Sequence, residues 1–213
     1  KGYPGQGEGA SALVVARGGT IVAQGMETAP IIMTGVADDL QGSIPDTENA
    51  TWGGLVILGQ ATMNECQGGD DGTAPCVSAI EGIPAATEPR GQFGYGDEVF
   101  VGANGELVDE AGALLTAANG TAVTFAENAA YGGMEGMNDA EIVLNYVSVR
   151  HAGSIIGADN ELNGISFGAV GTGADVDYIE VWANLDDGVE FFGGTVNMKH
   201  FVLSWMGDDF IDY

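Results

Sequence analysis

The sequence predicts an all-β fold: a right-handed parallel β-helix, or solenoid, with rungs of about 22 residues and a long lateral insertion. Three observations point there. First, Tyr178-Ile179-Glu180-Val181 and Asp186-Asp187-Gly188-Val189-Glu190-Phe191 are echoed by His200-Phe201-Val202-Leu203 and Asp208-Asp209-Phe210-Ile211-Asp212-Tyr213, every pair offset by 22. Second, the repeated segments alternate with period two: Tyr146, Ser148 and Arg150 interleave with Val147 and Val149, the pattern of a strand with one buried face. Third, 36 of 213 residues are glycine, against a usual share of about 7%. Gly-rich corners such as Gly168 to Gly173 and Gly193-Gly194 supply the bends between short stacked strands.

A unit of about 22 residues with two or three short strands has the size of one rung, each lying about 4.8 Å above the last. Ala12 to Ala16, Gly19 to Ala23 and Pro30 to Thr34 read as three short strands of a first rung. Trp52 to Gly59, an unbroken apolar run, opens the next as a strand stacked above and below. Between 61 and 140 the rung signal weakens, which predicts a lateral excursion with a hairpin at Glu98 to Val108 around Asn104-Gly105. A short helix around Asp109 to Ala118 is the one helical expectation. Rungs resume where Asn145 to Val149 matches Asp177 to Val181 at an offset of 32, and Gly164 to Phe167 matches Gly188 to Phe191 at 24. The expectation is a single β-helix domain over 1–213, with 61–140 as an excursion, ending in mid-rung as part of a longer chain.

Charge narrows the function classes. With 31 Asp+Glu against 5 Lys+Arg, the net charge is −26 and the pI near 4.1. Nucleic acid is excluded as a direct partner, because phosphate binding needs clustered Lys and Arg. No apolar run reaches 18 residues, so a membrane span is not expected. No basic stretch followed by an apolar one opens the sequence, which places any export signal outside it. Cys66 and Cys76 bracket a polar Gly/Asp/Pro segment, a spacing that suits a disulfide and an exported protein. Asn49-Ala50-Thr51 and Asn119-Gly120-Thr121 fit the glycosylation pattern.

Five segments together resemble a known group: Trp52 to Gly59, Ile80-Glu81-Gly82-Ile83-Pro84, Tyr146 to Arg150, Glu161-Leu162-Asn163-Gly164, and Leu185 through Gly194. The chain is similar to exported bacterial right-handed parallel β-helix surface proteins and lipoproteins, which share the shape of pectate-lyase-like solenoids. The resemblance covers most of residues 10–213. It implies the fold and export, and assigns no activity.

The candidate chemistry lies in acidic clusters. If 22 residues make one rung, Asp186 and Asp187 lie directly beneath Asp208 and Asp209, about 5 Å apart, and like charges so close need a screening cation. Asp and Glu oxygens suit Ca²⁺, so Asp186, Asp187, Asp208 and Asp209 are the leading metal ligands, with Asp70 and Asp71 next. Turn-capping or solvated aspartates are the competing reading. A polysaccharide lyase would draw its base from Arg150, His151, Lys199 or His200, although a surface of net −26 repels an anionic glycan. Hydrolysis by a carboxylate pair is the other enzymatic option. Trp52, Trp182, Trp205, Tyr178, Phe191, Phe192, Phe201 and Tyr213 are expected mostly in rung interiors, with one of Trp182 and Trp205 exposed because their offset is 23. The expected function is an extracellular structural or adhesive segment, Ca²⁺-stabilised, that self-associates or meets neighbouring surface domains by end stacking. The alternative is a carbohydrate-active or glycan-binding module.

Overall fold

The computed structural model describes residues 2, 11–61, 76–83, 91–95, 100–101, 107–108, 141–157 and 160–213. The chain begins with β1 (Leu13–Val15), β2 (Ile21–Gln24), β3 (Ile31–Met33) and β4 (Leu55–Leu58). Four short strands follow: β5 (Cys76–Ala79), β6 (Gln92–Tyr95), β7 (Phe100–Val101) and β8 (Leu107–Val108). The C-terminal half holds β9 (Ile142–Arg150), β10 (Ser154–Gly157), β11 (Asn160–Leu162), β12 (Ile165–Gly168) and β13 (Asp175–Asn184), then β14 (Val189–Phe192), β15 (Met198–Met206) and β16 (Ile211–Asp212).

Two parallel sheets carry the solenoid. One runs β1-β4-β12-β14-β16; the other runs β15-β13-β9-β2, with β3 also paired to β9. The chain therefore winds from one sheet to the other and back, and each turn adds one strand to each sheet, as a parallel β-helix requires. The offsets read from the sequence are the observed registers: Ile179 faces Phe201 at 22, Val147 at 32, and Ile165 faces Val189 at 24. The first rung also matches its three expected strands. β7 and β8 pair antiparallel, Phe100 opposite Val108, where the Asn104-Gly105 hairpin is expected. The helix expected at 109–118 lies outside the described residues.

The long strands of the second sheet bend in mid-course. Tyr146, Tyr178 and His200 fall in one register column, and all have positive φ (50°, 54° and 44°), so each strand turns a corner at the same point. Bulky residues rarely adopt this conformation, and here stacking above and below holds it in place. The interior is a column of apolar side chains: Leu55, Ile57, Ile165, Phe167 and Val189 from one sheet meet Leu144, Val147, Val149, Ile179 and Val181 from the other. Phe167 stacks on Phe191 of the next rung at 5.4 Å.

A smaller cluster forms on the outer face of the first sheet. Val56 and Leu58 point away from the solenoid interior yet are buried, because Ile80, Phe93 and Leu162 cover them. The β5–β6 hairpin, paired antiparallel, supplies Phe93. The Gly94 amide donates to the Gly59 carbonyl at 3.0 Å, fixing the cover to β4. The cover reaches β14 through Phe192, whose ring lies 5.9 Å from Phe93, while the outer column of Val56 continues on β14 and β16 as Glu190 and Asp212.

Just before β4, β12 and β14 the position is glycine (Gly54, Gly164 and Gly188), which lets the next rung approach. A Cβ on Gly164 would lie 2.6 Å from the Gly188 carbonyl oxygen and 2.5 Å from Val181 Cγ1. Gly164→Ala is therefore expected to lower stability by about 1–3 kcal/mol in denaturant titrations. Gly157→Ala, whose Cβ meets nothing closer than 3.7 Å, should change it by less than about 0.5 kcal/mol.

Candidate functional site

The exposed stretch of the outer face beside the cover is lined with carboxylates. Asp186 and Asp187 sit in the turn before β14, Glu190 on β14 itself, and Asp208 and Asp212 one rung further on. The turn residues are held by a ladder of their own. The Asp187 amide donates to Asn163 Oδ1 at 3.1 Å, and the Asp209 amide donates to Asp187 Oδ1 at 2.8 Å. Each of these Asn or Asp side chains thus accepts from the backbone of the following rung, which keeps successive turns in register. Asn163 Nδ2 also donates to Glu190, and Asn184 Nδ2 donates to the Asp187 carbonyl at 2.6 Å.

Two carboxylate triads result. Oxygens of Asp186, Asp187 and Asp208 lie within 4.8 Å of one another, and so do those of Asp187, Glu190 and Asp212. Asp187 belongs to both and is only 7% exposed. Glu81, next to the β5–β6 cover, and Glu161 on β11 border the same site. The Glu161 amide donates to Glu81 Oε1 at 3.1 Å.

Electrostatics follow from this crowding. Burial, then the charges of Asp186, Asp212 and Asp208, pushes Asp187 up to about 6, against the pull of the Asp209 amide. Burial, followed by Glu81, Asp187 and Asp212, pushes Glu190 up to about 8. Burial also raises Asp186, with Glu161 and Asp208 adding to it, and raises Glu81, with Asp186 and Glu161 adding to it. An all-oxygen donor set with surplus negative charge fits a hard divalent cation, and Ca²⁺ in particular. A Glu carboxyl that keeps its proton near neutral pH could also serve as a general acid.

The sequence-predicted residues separate into three groups. Asp186, Asp187 and Asp208 come together as the 22-residue offset implies; Asp209 contributes its amide to the ladder and lies in neither triad. Glu190 and Asp212 take the place expected for Asp209, because they share an outward column of the sheet. Asp70, Asp71, Cys66 and the Cys66 to Cys76 pairing lie outside the described residues. The four basic candidates do not converge. Arg150 stands opposite Trp182 and pairs with Glu180 at 2.8 Å, whereas Lys199 stands opposite Asp177, earlier on its strand. His151 is buried, with Nδ1 at 2.5 Å from the Glu48 carbonyl, and His200 Nδ1 contacts Asp177 at 2.7 Å. Of the tryptophans, Trp52 is buried and Trp205 is 57% exposed, while Trp182 donates its indole N–H to the Asp46 carbonyl at 2.8 Å. Tyr178, Phe201 and Tyr213 are exposed as well, so the interior expectation holds for Trp52 but not for these.

Glu81, Glu161 and Asn163 are site residues that the sequence offers only as parts of the Ile80-Glu81-Gly82 and Glu161-Leu162-Asn163-Gly164 segments. The offset of 24 places Asn163 beside Asp187, but nothing in the spacing of Glu81 and Glu161 does so, because two hairpins fold them onto the solenoid. A family model described as "Pectate-lyase like beta helix domain" matches residues 4–95 and 99–213. No curated protein and no solved structure matches the chain.

The raised carboxyls set a pH dependence with a definite sign. Asp187 and Glu190 hold protons more tightly folded than unfolded, where carboxyls titrate near 4. Their contribution to stability is fully present below about pH 4 and is lost as pH rises through about 6 and then about 8. In chelator the melting temperature should fall across this window, and Asp187→Asn with Glu190→Gln should flatten the fall, as followed by circular dichroism.

Proposed function

The chain belongs to the pectate-lyase-like β-helix family, whose members are carbohydrate-active or surface β-helix modules, and we propose that it is an extracellular structural or adhesive module stabilised by Ca²⁺. The single observation that carries this reading is Asp187, nearly buried at the shared vertex of two carboxylate triads. A buried carboxylate without a neutralising partner is costly, and a divalent cation supplies the charge while taking oxygens from two successive rungs. The cation then acts as a staple between rungs rather than as a catalyst. The exposed Phe201 and Trp205 of β15 support a role in which the module self-associates or meets neighbouring surface domains. The paired state of Arg150 and His200 supports this reading over lyase chemistry.

One observation favours a second reading. Glu190, up to about 8, has an oxygen within 4.8 Å of oxygens of Asp187 and Asp212, which supplies the paired carboxyls that a glycosidase uses. Release of reducing sugar from a neutral polysaccharide, lost in Glu190→Gln, would select it.

Thermal unfolding after chelation and Ca²⁺ addition tests the main reading. A hundredfold excess over Kd adds about 2.7 kcal/mol, which for a chain of this size raises Tm by about 5–10 °C. Asp187→Asn should remove most of that increase. An unchanged Tm in the wild-type protein would contradict a calcium role.

A further inference from the structure

Tyr146 on β9 and Tyr178 on β13 lie outside the acidic site, at the same corner of adjacent rungs. Both have positive φ, so the two side chains leave the backbone in the same direction. Their rings stack with centroids 4.4 Å apart and planes 5° from parallel. The His200 ring covers the other face of Tyr178, at 4.6 Å and 8°. On the far side of Tyr146 the register brings Gly25, which has no ring to offer, since Gln24 faces Asn145. The column therefore contains one phenol pair, held in contact by the strands. It is also accessible: Tyr178 is 42% exposed.

We propose that Tyr146 and Tyr178 are an oxidative modification site, at which one-electron oxidants of the peroxidase or photosensitiser class close a dityrosine bond between β9 and β13. Each phenol gives one electron to the oxidant and its hydroxyl proton to solvent, so two oxidant equivalents are reduced by one electron each. The two phenoxyl radicals join through ring carbons ortho to the oxygens, forming one C–C bond. Each ortho proton then moves to its own oxygen, restoring both phenols, and the net loss is two hydrogens. The stack supplies the proximity that radical coupling needs, because neither ring has to find its partner by diffusion. The bond would tie two rungs covalently, a link across 32 residues of chain that the unfolded state would also have to carry.

The experiment uses the whole chain at high dilution, oxidised with light, a ruthenium tris-bipyridyl photosensitiser and persulfate. The expected result is dityrosine fluorescence in the monomer band, with peptides containing residues 146 and 178 joined and two hydrogens lighter than their sum. Tyr146→Phe and Tyr178→Phe, each of which keeps an aromatic ring in the column, should lose that peptide pair while retaining the wild-type circular dichroism. The linked protein should melt at a higher temperature than the unlinked one. Intramolecular dityrosine that maps to other tyrosines, that persists in Tyr178→Phe, or that is absent altogether would overturn the proposal.

Discussion

Parallel, in-register stacking at about 4.8 Å governs this molecule, because it sets every side chain against its counterpart one rung away. Whatever a column holds must tolerate a neighbour of similar kind at that spacing. The interior meets the condition with Leu, Ile, Val and Phe, which gain contacts from repetition. The corner at Tyr146, Tyr178 and His200 meets it with flat rings, which stack. The column of Gly54, Gly164 and Gly188 meets it by having no side chain, since any Cβ there would collide with the carbonyl of the following rung.

Acids are the one class for which repetition is unfavourable, and the acidic site lies where that conflict is sharpest. The Asn163, Asp187 and Asp209 ladder uses side-chain oxygens to bind the backbone of adjacent rungs, so an acid at this place has a structural task. That task fixes Asp187 in a nearly buried position. The outward column of Glu190 and Asp212, together with Glu81 and Glu161 beside the hairpin cover, then closes carboxylates around it. Protons relieve the crowding at low pH, and a divalent cation relieves it when the protons have left. A family shared with pectate-lyase-like β-helices describes the scaffold, while the acidic site is a property of these particular columns.

The solenoid was legible in the sequence because its repeats are local: offsets of 22, 24 and 32 are the true registers of β15, β14 and β13 against their neighbours. Asp186, Asp187 and Asp208 were legible for the same reason. What the sequence hid was the pairing of Leu55 with Ile165, since 110 residues and the chain of the excursion separate them. Hidden with it were Glu81 and Glu161, which reach the site through the hairpin cover rather than through a repeat. Exposure in β15 was expected for one of Trp182 and Trp205 and is found at Trp205, but it was not expected at Phe201, which follows the periodicity of its buried partner Ile179 although no further described strand covers it.

The most direct test of the account counts protons when Ca²⁺ binds at pH 7, by titration calorimetry in two buffers of different ionisation enthalpy. Glu190, up to about 8, must give up its proton to become a ligand. The account predicts binding with release of about one proton per Ca²⁺, both reduced in Glu190→Gln. Absence of binding, or binding with equal apparent enthalpy in the two buffers, would contradict it.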